Sequence, residues 1–226
     1  MPAHPLDNPI WASLTCRHRA FARRTGEAAR YPADVAPFAG VGRADPAAAA
    51  ALAALLAPGE TVYLLGLAPA PPDAHLHKLA DLAQVVCTGP MAEVAGPAIV
   101  ELGEAQRADV LALAALVYPH YFRPRTMALG RYFGIYRDGR LAAMIGERMG
   151  TDDGQEISAV CTHPDFAGRG YARRLLARLS NDALGRGLTP FLHVSHDNVR
   201  AKALYERCGY RLRADVPFWS LRRAPA

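Results

Sequence analysis

The chemically most informative stretch is residues 160–176, where a predicted strand runs through a loop of small residues into a helix. Gly168 and Gly170 have no Cβ atom, so the backbone there is open to close approach by a phosphate. The amides of residues 168–172 would point at that anion, and the dipole of the following helix would favour it. The stretch is not a P-loop, because no Gly-Lys-Ser/Thr follows, and its glycine spacing does not fit a dinucleotide fingerprint. It predicts a phosphate-binding turn, with an ordinary tight turn as the alternative.

A second pattern, at residues 192–210, follows in a predicted strand–helix–strand arrangement. Together the two stretches resemble the GCN5-related N-acetyltransferase (GNAT) superfamily, and its FR47-like branch in particular. The phosphate loop of that family has the form Gln/Arg-x-x-Gly-x-Gly/Ala. Gly170 and Ala172 fit this form, whereas Ala167 departs from it. Because most contacts in such a loop of the family come from backbone amides, the loss of that side chain weakens the match without cancelling it, and Arg169 or Arg173 would supply the missing charge.

The resemblance implies an acyl-CoA co-substrate, such as acetyl-CoA, and no metal. The pantetheine arm would pair with the strand at residues 160–162 in the manner of an added strand. A free amide of Val160 or Cys161 would bind the developing oxyanion, and Asn198 would touch the arm. The residues that the resemblance assigns to the cofactor are Val160, Cys161, Thr162, Gly168, Arg169, Gly170, Tyr171, Ala172, Arg173 and Asn198.

Acyl transfer to an amine needs a polarised carbonyl, a neutral amine and a protonated leaving thiolate. Tyr205 matches the family tyrosine that faces the sulfur, and an unperturbed phenol carries its proton at neutral pH, so Tyr205 is the candidate acid. Its alternative role is packing. His193 is a candidate base because imidazole has a suitable intrinsic pKa. Glu156 and Glu147 are the other candidates, although carboxylates at strand ends are usually at the surface.

The resemblance therefore implies an N-acetyltransferase that moves an acetyl or similar small acyl group directly from acyl-CoA to a primary amine of a small molecule or peptide. The alternative is an acyl-CoA-binding or sensing module with weak or no catalysis. Ala167 favours that alternative, whereas Asn198 and Tyr205 argue against it. Residues 118–125 would shape the acceptor site. The acceptor is not identified by the sequence, and a homodimer stays open.

The elements that would position these residues follow local patterns. Asp138-Gly139, between apolar segments at 132–137 and 141–149, predicts a β-hairpin. The other predicted elements are strands at 98–102, 156–162, 189–195, 210–212 and 216–221, and helices at 104–117, 169–185 and 198–207. Their order predicts a mixed α/β sheet, and the resemblance implies that it is mostly antiparallel, splayed and flanked by helices.

Two parts are predicted along the chain: a smaller α/β unit at residues 1–95 and the acyltransferase domain at residues 96–226. The first part has no phosphate loop, so it is expected to bind no CoA and to pack on the acceptor side of the second. In some relatives such a part is similar to a truncated copy of the same fold. Its predicted elements are a helix capped by Asp45 and begun by Pro46, strands at 61–65 and 82–87, and a short helix near 76–79.

Composition limits the class of protein. The chain has 226 residues, of which 51% are hydrophobic and 21% charged, enough for one large domain or two small ones. No apolar run is long enough to span a membrane and no signal peptide is visible, so the expected location is cytoplasmic, without membrane partners. Four scattered cysteines exclude a disulfide framework and a structural zinc site. The net charge of +5 suits a phosphorylated cofactor, and no nucleic-acid-binding motif accompanies it.

Overall fold

The structure is a computed structural model that describes residues 4–225. The α-helices are α1 (Pro9–Thr15), α2 (Pro46–Ala54), α3 (Arg107–Val117), α4 (Tyr171–Gly185) and α5 (Val199–Arg207). The strands are β1 (Arg23–Thr25), β2 (Ala28–Arg30), β3 (Ala39–Val41), β4 (Thr61–Leu65), β5 (Ala74–Val86), β6 (Val100–Leu102), β7 (Tyr132–Arg137), β8 (Arg140–Gly150), β9 (Gly154–Thr162), β10 (Thr189–Ser195) and β11 (Arg211–Arg223).

Within residues 4–225, eight strands form one sheet in the order β4-β11-β5-β10-β9-β8-β7-β6. Neighbouring strands are antiparallel, except that β9 and β10 are parallel. This confirms the predicted mixed, mostly antiparallel α/β sheet. Strands β1, β2 and β3 form a separate small antiparallel sheet.

Two local patterns explain how the C-terminal elements form. The β7–β8 hairpin turns at Asp138 and Gly139, whose φ angles of 51° and 73° are ones that Asp and Gly tolerate well, so the predicted turn is confirmed. Helix α4 buries Leu175, Leu176 and Leu179 against the sheet, which is the predicted inner face. The helix begins two residues later than predicted, because Gly170, with φ of 76°, is its N-cap.

The short helix predicted near residues 76–79 is wrong, because these residues belong to the long strand β5. This strand lies between β10 and β11 and pairs with both. Leucines at 76, 79 and 82 have helical spacing, but a register shift between Ala80 and Lys78 makes Leu79 the extra residue of a β-bulge and leaves it 44% exposed. The predicted division at residue 95 therefore does not divide the sheet.

The core also joins the two predicted parts. One apolar cluster holds Ile10, Tyr31 and Phe38 together with Phe191 and Phe218, so N-terminal side chains pack on strands from the end of the chain. The largest cluster lies between α4 and the centre of the sheet. In residues 4–225, no helix combines the length and the apolar character that a membrane span requires.

Candidate active site

A cleft opens where β9 and β10 separate. The two strands pair only from Gly154 opposite Thr189 to Glu156 opposite Phe191, and beyond these residues they diverge. The cleft between them, called here the β9–β10 cleft, has a volume of about 560 Å³, a size that suits a small ligand. Its walls include both divergent strands and the start of α5, so the backbone edge of β9 faces open space.

A β-bulge in β9 shapes this edge. Residues 159 and 160 together lie opposite one residue of β8, and Ala159 has φ of 51°. The amide of His163 donates to the carbonyl of Ala142 on β8. Because successive backbone groups point to opposite sides of a strand, Cys161 also faces β8, whereas Val160 and Thr162 face the cleft. Of the two predicted oxyanion donors, the geometry favours the Val160 amide.

The Cys161 thiol is buried. Burial raises its pKa to about 12, which keeps the thiol protonated. Cys161 is among the residues that line the cleft, but it also belongs to a buried apolar cluster of the core.

The loop at residues 168–170 has the conformation that a phosphate cradle needs. Gly168 and Gly170 have φ of 78° and 76°, and both are exposed. The first helical hydrogen bond runs from the amide of Arg174 to the carbonyl of Gly170. Within the described residues, the amides of residues 168–173 have no protein acceptor, so they are free for an anion at the positive end of α4.

The side chains around this loop differ in how far they are exposed to a ligand. Tyr171 is buried in the core, so it can serve a cofactor only through its backbone. Arg169 stacks on the Phe166 ring, with its guanidinium carbon 5.2 Å from the ring centroid. Arg173 is exposed on the first turn of α4, where it could replace the charge that Ala167 lacks. Ala172 is half-buried beside it.

Tyr205 and Asn198 lie at opposite ends of α5 and both line the β9–β10 cleft. The Tyr205 ring is 8% exposed, and burial raises the pKa of its phenol above the usual value, so the group holds its proton at neutral pH. Asn198 accepts a bond from the Ala201 amide through Oδ1 (3.1 Å) and thereby caps α5. Its Nδ2 group stays available to a ligand. The structure thus brings both predicted residues to one cleft.

Glu156 is fully buried at the floor of this cleft, so the interpretation as a surface carboxylate is wrong. Arg148 donates to it twice, at 2.6 and 2.7 Å, and His193 Nδ1 lies 2.8 Å from Oε1. Burial by itself would raise the pKa of Glu156, but the Arg148 guanidinium and the His193 bond outweigh it and hold the pKa well below the usual range. An ion-paired carboxylate of this kind is a poor proton acceptor.

Glu147, the other candidate carboxylate, is also buried rather than exposed. It accepts bonds from Arg131 and Arg186 at 2.8 and 2.6 Å, and these pairs lower its pKa against the opposing effect of burial. It does not line the β9–β10 cleft. Glu147 is therefore part of a structural network of ion pairs and is not placed to act as the catalytic base.

His193 is held at both ring nitrogens. Gln84 of β5 places its Nε2 group 2.8 Å from His193 Nε2 and also donates to the carbonyl of Leu6 (2.8 Å), while its Oε1 accepts from Arg213. These partners fix the amide orientation, so Nε2 of His193 accepts a hydrogen bond and Nδ1 carries the proton toward Glu156. The His193 side chain is only 2% exposed.

Sequence analysis missed Arg148 and Gln84. Arg148, beside Glu147 in the mostly apolar strand at 141–149, was a detectable signal, because a charge in a buried strand requires a partner. Gln84 gave no signal, since its role depends on β5 lying beside β10.

Comparison with known proteins adds an independent line of evidence. The family model for FR47-like proteins matches residues 132–220. An acetyltransferase from Yersinia enterocolitica is 38% identical over 71 residues, a segment that covers 30% of this chain and 50% of that protein. The match therefore spans half the length of this curated relative.

Solved structures match over a longer span. A GNAT-family acetyltransferase from Novosphingobium aromaticivorans is 35% identical, with a TM-score of 0.90, over 98% of this chain and all of that one. A GCN5-related N-acetyltransferase from Kribbella flavida has a TM-score of 0.65 over 95% of this chain and 94% of its own, and at 18% identity it supports the fold alone.

Proposed function

Since the chain belongs to the GNAT family and is an acetyltransferase, we propose that it transfers an acetyl group from acetyl-CoA directly to a primary amine of a small molecule or peptide. The observation that carries this proposal is the β9–β10 cleft. It has an unpaired β-strand edge on one side and Tyr205 among its lining residues, and the free-amide turn at the start of α4 follows β9 in the chain.

The donor would lie along β9. The pantetheine arm would pair with the edge at Val160 and Thr162, as an added strand does, and the side-chain amide of Asn198 would contact it. The pyrophosphate would bind the amides of residues 168–173, with Arg169 and Arg173 as exposed cations in the same segment. Among residues 4–225, the amides of residues 168–173 and the Asn198 Nδ2 group have no protein partner to give up.

The transfer step follows from these positions. The amine nitrogen attacks the thioester carbonyl, and the Val160 amide stabilises the negative charge on its oxygen. The C–S bond then breaks, and Tyr205 donates its proton to the thiolate. The proton lost by the amine needs an acceptor within the cleft or a route to solvent.

His193 is the proposed acceptor of that proton, and Glu156 is its positioning partner. Nε2 carries the lone pair because Nδ1–H is bonded to Glu156, which would also stabilise the imidazolium that forms. The Gln84 amide must release Nε2 when the proton arrives. In this proposal His193 is the base and Glu156 positions it, whereas the sequence left His193, Glu156 and Glu147 as candidates.

The test is mass spectrometry of products after the purified protein has been incubated with acetyl-CoA and a panel of amines, amino acids and peptides. We expect a product heavier by one acetyl group and an equal amount of free CoA. The Tyr205→Phe variant is the matched control. Acetyl-CoA binding without transfer to any amine would instead support the sensing module.

A further inference from the structure

Four aromatic side chains form a wall of the β9–β10 cleft. They are Phe38, Tyr118, Tyr121 and Phe218. Tyr121 is at the centre of the group, with its ring centroid 5.9 Å from that of Phe38, 5.7 Å from Tyr118 and 5.6 Å from Phe218. Such distances are typical of packed aromatic rings, so the wall is a preformed surface rather than four separate side chains.

Aliphatic side chains extend this wall to the mouth of the cleft. Leu65 and Leu82 line it beside the rings, and Leu79 and Val117 are 44% and 39% exposed although both are apolar. None of these residues belongs to the β9 edge or to the start of α5, where the donor is proposed to lie. An exposed apolar rim that continues into an apolar wall indicates a binding surface for an apolar group.

The charges in the cleft exclude an anionic ligand group at this wall. Arg148 is the one cation among the lining residues described, and Glu156 already neutralises it through two short hydrogen bonds. Its guanidinium also stacks on the Phe38 ring at 4.9 Å. The remaining charged lining residue, Asp197, is negative and exposed at the turn before α5. A carboxylate or phosphate on the acceptor would therefore be buried without a partner.

We propose that the acceptor is a primary amine on an aromatic or comparably apolar body, with no carboxylate or phosphate. This rests on the proposed function, whose amine acceptor it specifies. The apolar body packs on the wall around Tyr121, and the amino group points toward the thioester at Val160. The aromatic faces attract the amine as a cation when it enters, and the apolar surroundings favour its neutral form before transfer.

The test compares acceptors that differ in one feature. We expect 2-phenylethylamine to be acetylated with a kcat/KM about a hundredfold above that of phenylalanine, which adds an unpaired carboxylate. We also expect it to exceed 2-aminoethanol, which has no apolar body. Tyr121→Ala should lower kcat/KM for 2-phenylethylamine about tenfold. Tyr136→Ala is the matched control, because Tyr136 is also half-buried but does not line the cleft.

Calorimetry separates this inference from the proposed function. Binding of 2-phenylethylamine to the CoA-loaded protein, weakened by Tyr121→Ala and not by Tyr136→Ala, supports the apolar acceptor site even where no amine is acetylated. Efficient acetylation of phenylalanine or 2-aminoethanol, with 2-phenylethylamine no better, would overturn the inference while the proposed function stood. Absence of 2-phenylethylamine binding would overturn it as well.

Discussion

Tyr205 is the residue at which the chemistry depends most on one atom. Its ring is packed in the core, and the residue also lines the β9–β10 cleft. Tyr205→Phe keeps the packing and removes the proton donor. We expect kcat to fall by roughly a hundred- to ten-thousand-fold, the range of general acid catalysis, with the Kd for acetyl-CoA little changed. A fully active phenylalanine variant would assign thiolate protonation to water or to another group.

His193 offers a second test at the residue scale. If its Nε2 accepts the proton of the amine, kcat/KM should rise with pH, and His193→Gln should remove that dependence. A pH profile of both proteins measures this. Glu156→Gln is the comparison, because loss of a positioning partner should move the rise of kcat/KM along the pH axis rather than abolish it. A rise that persisted in His193→Gln and vanished in Glu156→Gln would reverse the two roles.

The Glu156–Arg148 pair also makes a prediction about stability. The pKa of Glu156 is about 2 in the folded protein, against about 4.3 in an unfolded chain. Because the folded pKa is depressed, the stability from this group is complete above pH 4.3 or so and is lost as the pH falls toward 2. Glu156→Gln leaves Arg148 buried without its counter-charge, so we expect the free energy of unfolding at pH 7 to fall by about 3–5 kcal/mol.

Denaturant unfolding at pH 7 and pH 3 measures this effect, and the wild type should lose more stability between the two than Glu156→Gln does. Asp165→Asn is the control, because the Asp165–Arg140 pair is exposed and its loss should cost less than about 1 kcal/mol. An equal effect of the two substitutions would contradict the prediction.

At the scale of elements, the start of α4 can be tested with a matched pair of glycines. Gly170→Glu puts a side chain and a negative charge beside the free amides, so we expect affinity for CoA to collapse while the fold survives. Gly187→Glu is the control, since Gly187 also has positive φ, at 74°, and a Cβ there would also meet no atom within 4 Å. Both changes carry a similar backbone strain of about 1–2 kcal/mol. Calorimetry with CoA on the two variants therefore separates the effect of a charged side chain beside the free amides from the effect of backbone strain. Equal loss of affinity in the two variants would count against the phosphate-binding turn.

The C-terminal elements could be predicted because each has a strong local signal. Strands β7 and β10 have the predicted bounds, and α4 and α5 begin within two residues of prediction. The predicted strands at 210–212 and 216–221 are instead one strand, β11, whose bulge after Leu212 resembles an interruption in the sequence. Helix α1 and the small sheet were not predicted, since their segments are short and held by tertiary packing.

The site residues, like the elements, could be predicted only where a local motif identifies them. The sequence identified residues that share a motif, such as Asn198 and Tyr205. It did not identify contacts that require a particular strand order, such as Gln84 beside His193 or Arg148 beside Glu156. Gln84 lies opposite His193 in the pairing of β5 with β10. A change of one residue in that register would put a different side chain there, so a local pattern cannot determine which side chain reaches His193.

At the scale of the whole molecule, residues 4–95 contribute to the site as well as to the sheet. Strand β5 supplies Gln84, and Phe38, Leu65 and Leu82 line the β9–β10 cleft. This supports the proposal that the N-terminal part lies on the acceptor side. It also means that two strands of the C-terminal part, β10 and β11, pair with a strand of the N-terminal part, β5.

Residues 96–226 expressed alone test this dependence. Without β5, strands β10 and β11 lose the partner that lies between them, and their backbone groups become open edges. The apolar side chains that face Ile10, Tyr31 and Phe38 are also exposed to water. We therefore expect the fragment to aggregate or to unfold at a much lower temperature than the full chain. Sedimentation, circular dichroism and acetyl-transfer assays on the two proteins measure this.

The full-length Gln84→Met variant separates the two contributions of β5. It keeps the strand and a side chain of similar length, but it removes the hydrogen bonds to His193 and Arg213. We expect it to fold and to show an altered pH profile, whereas the fragment fails at the level of folding, because a missing central strand costs far more than one hydrogen-bonded side chain. A fragment that stayed soluble, folded and fully active on the same acceptor would show that residues 1–95 neither support the sheet nor shape the site.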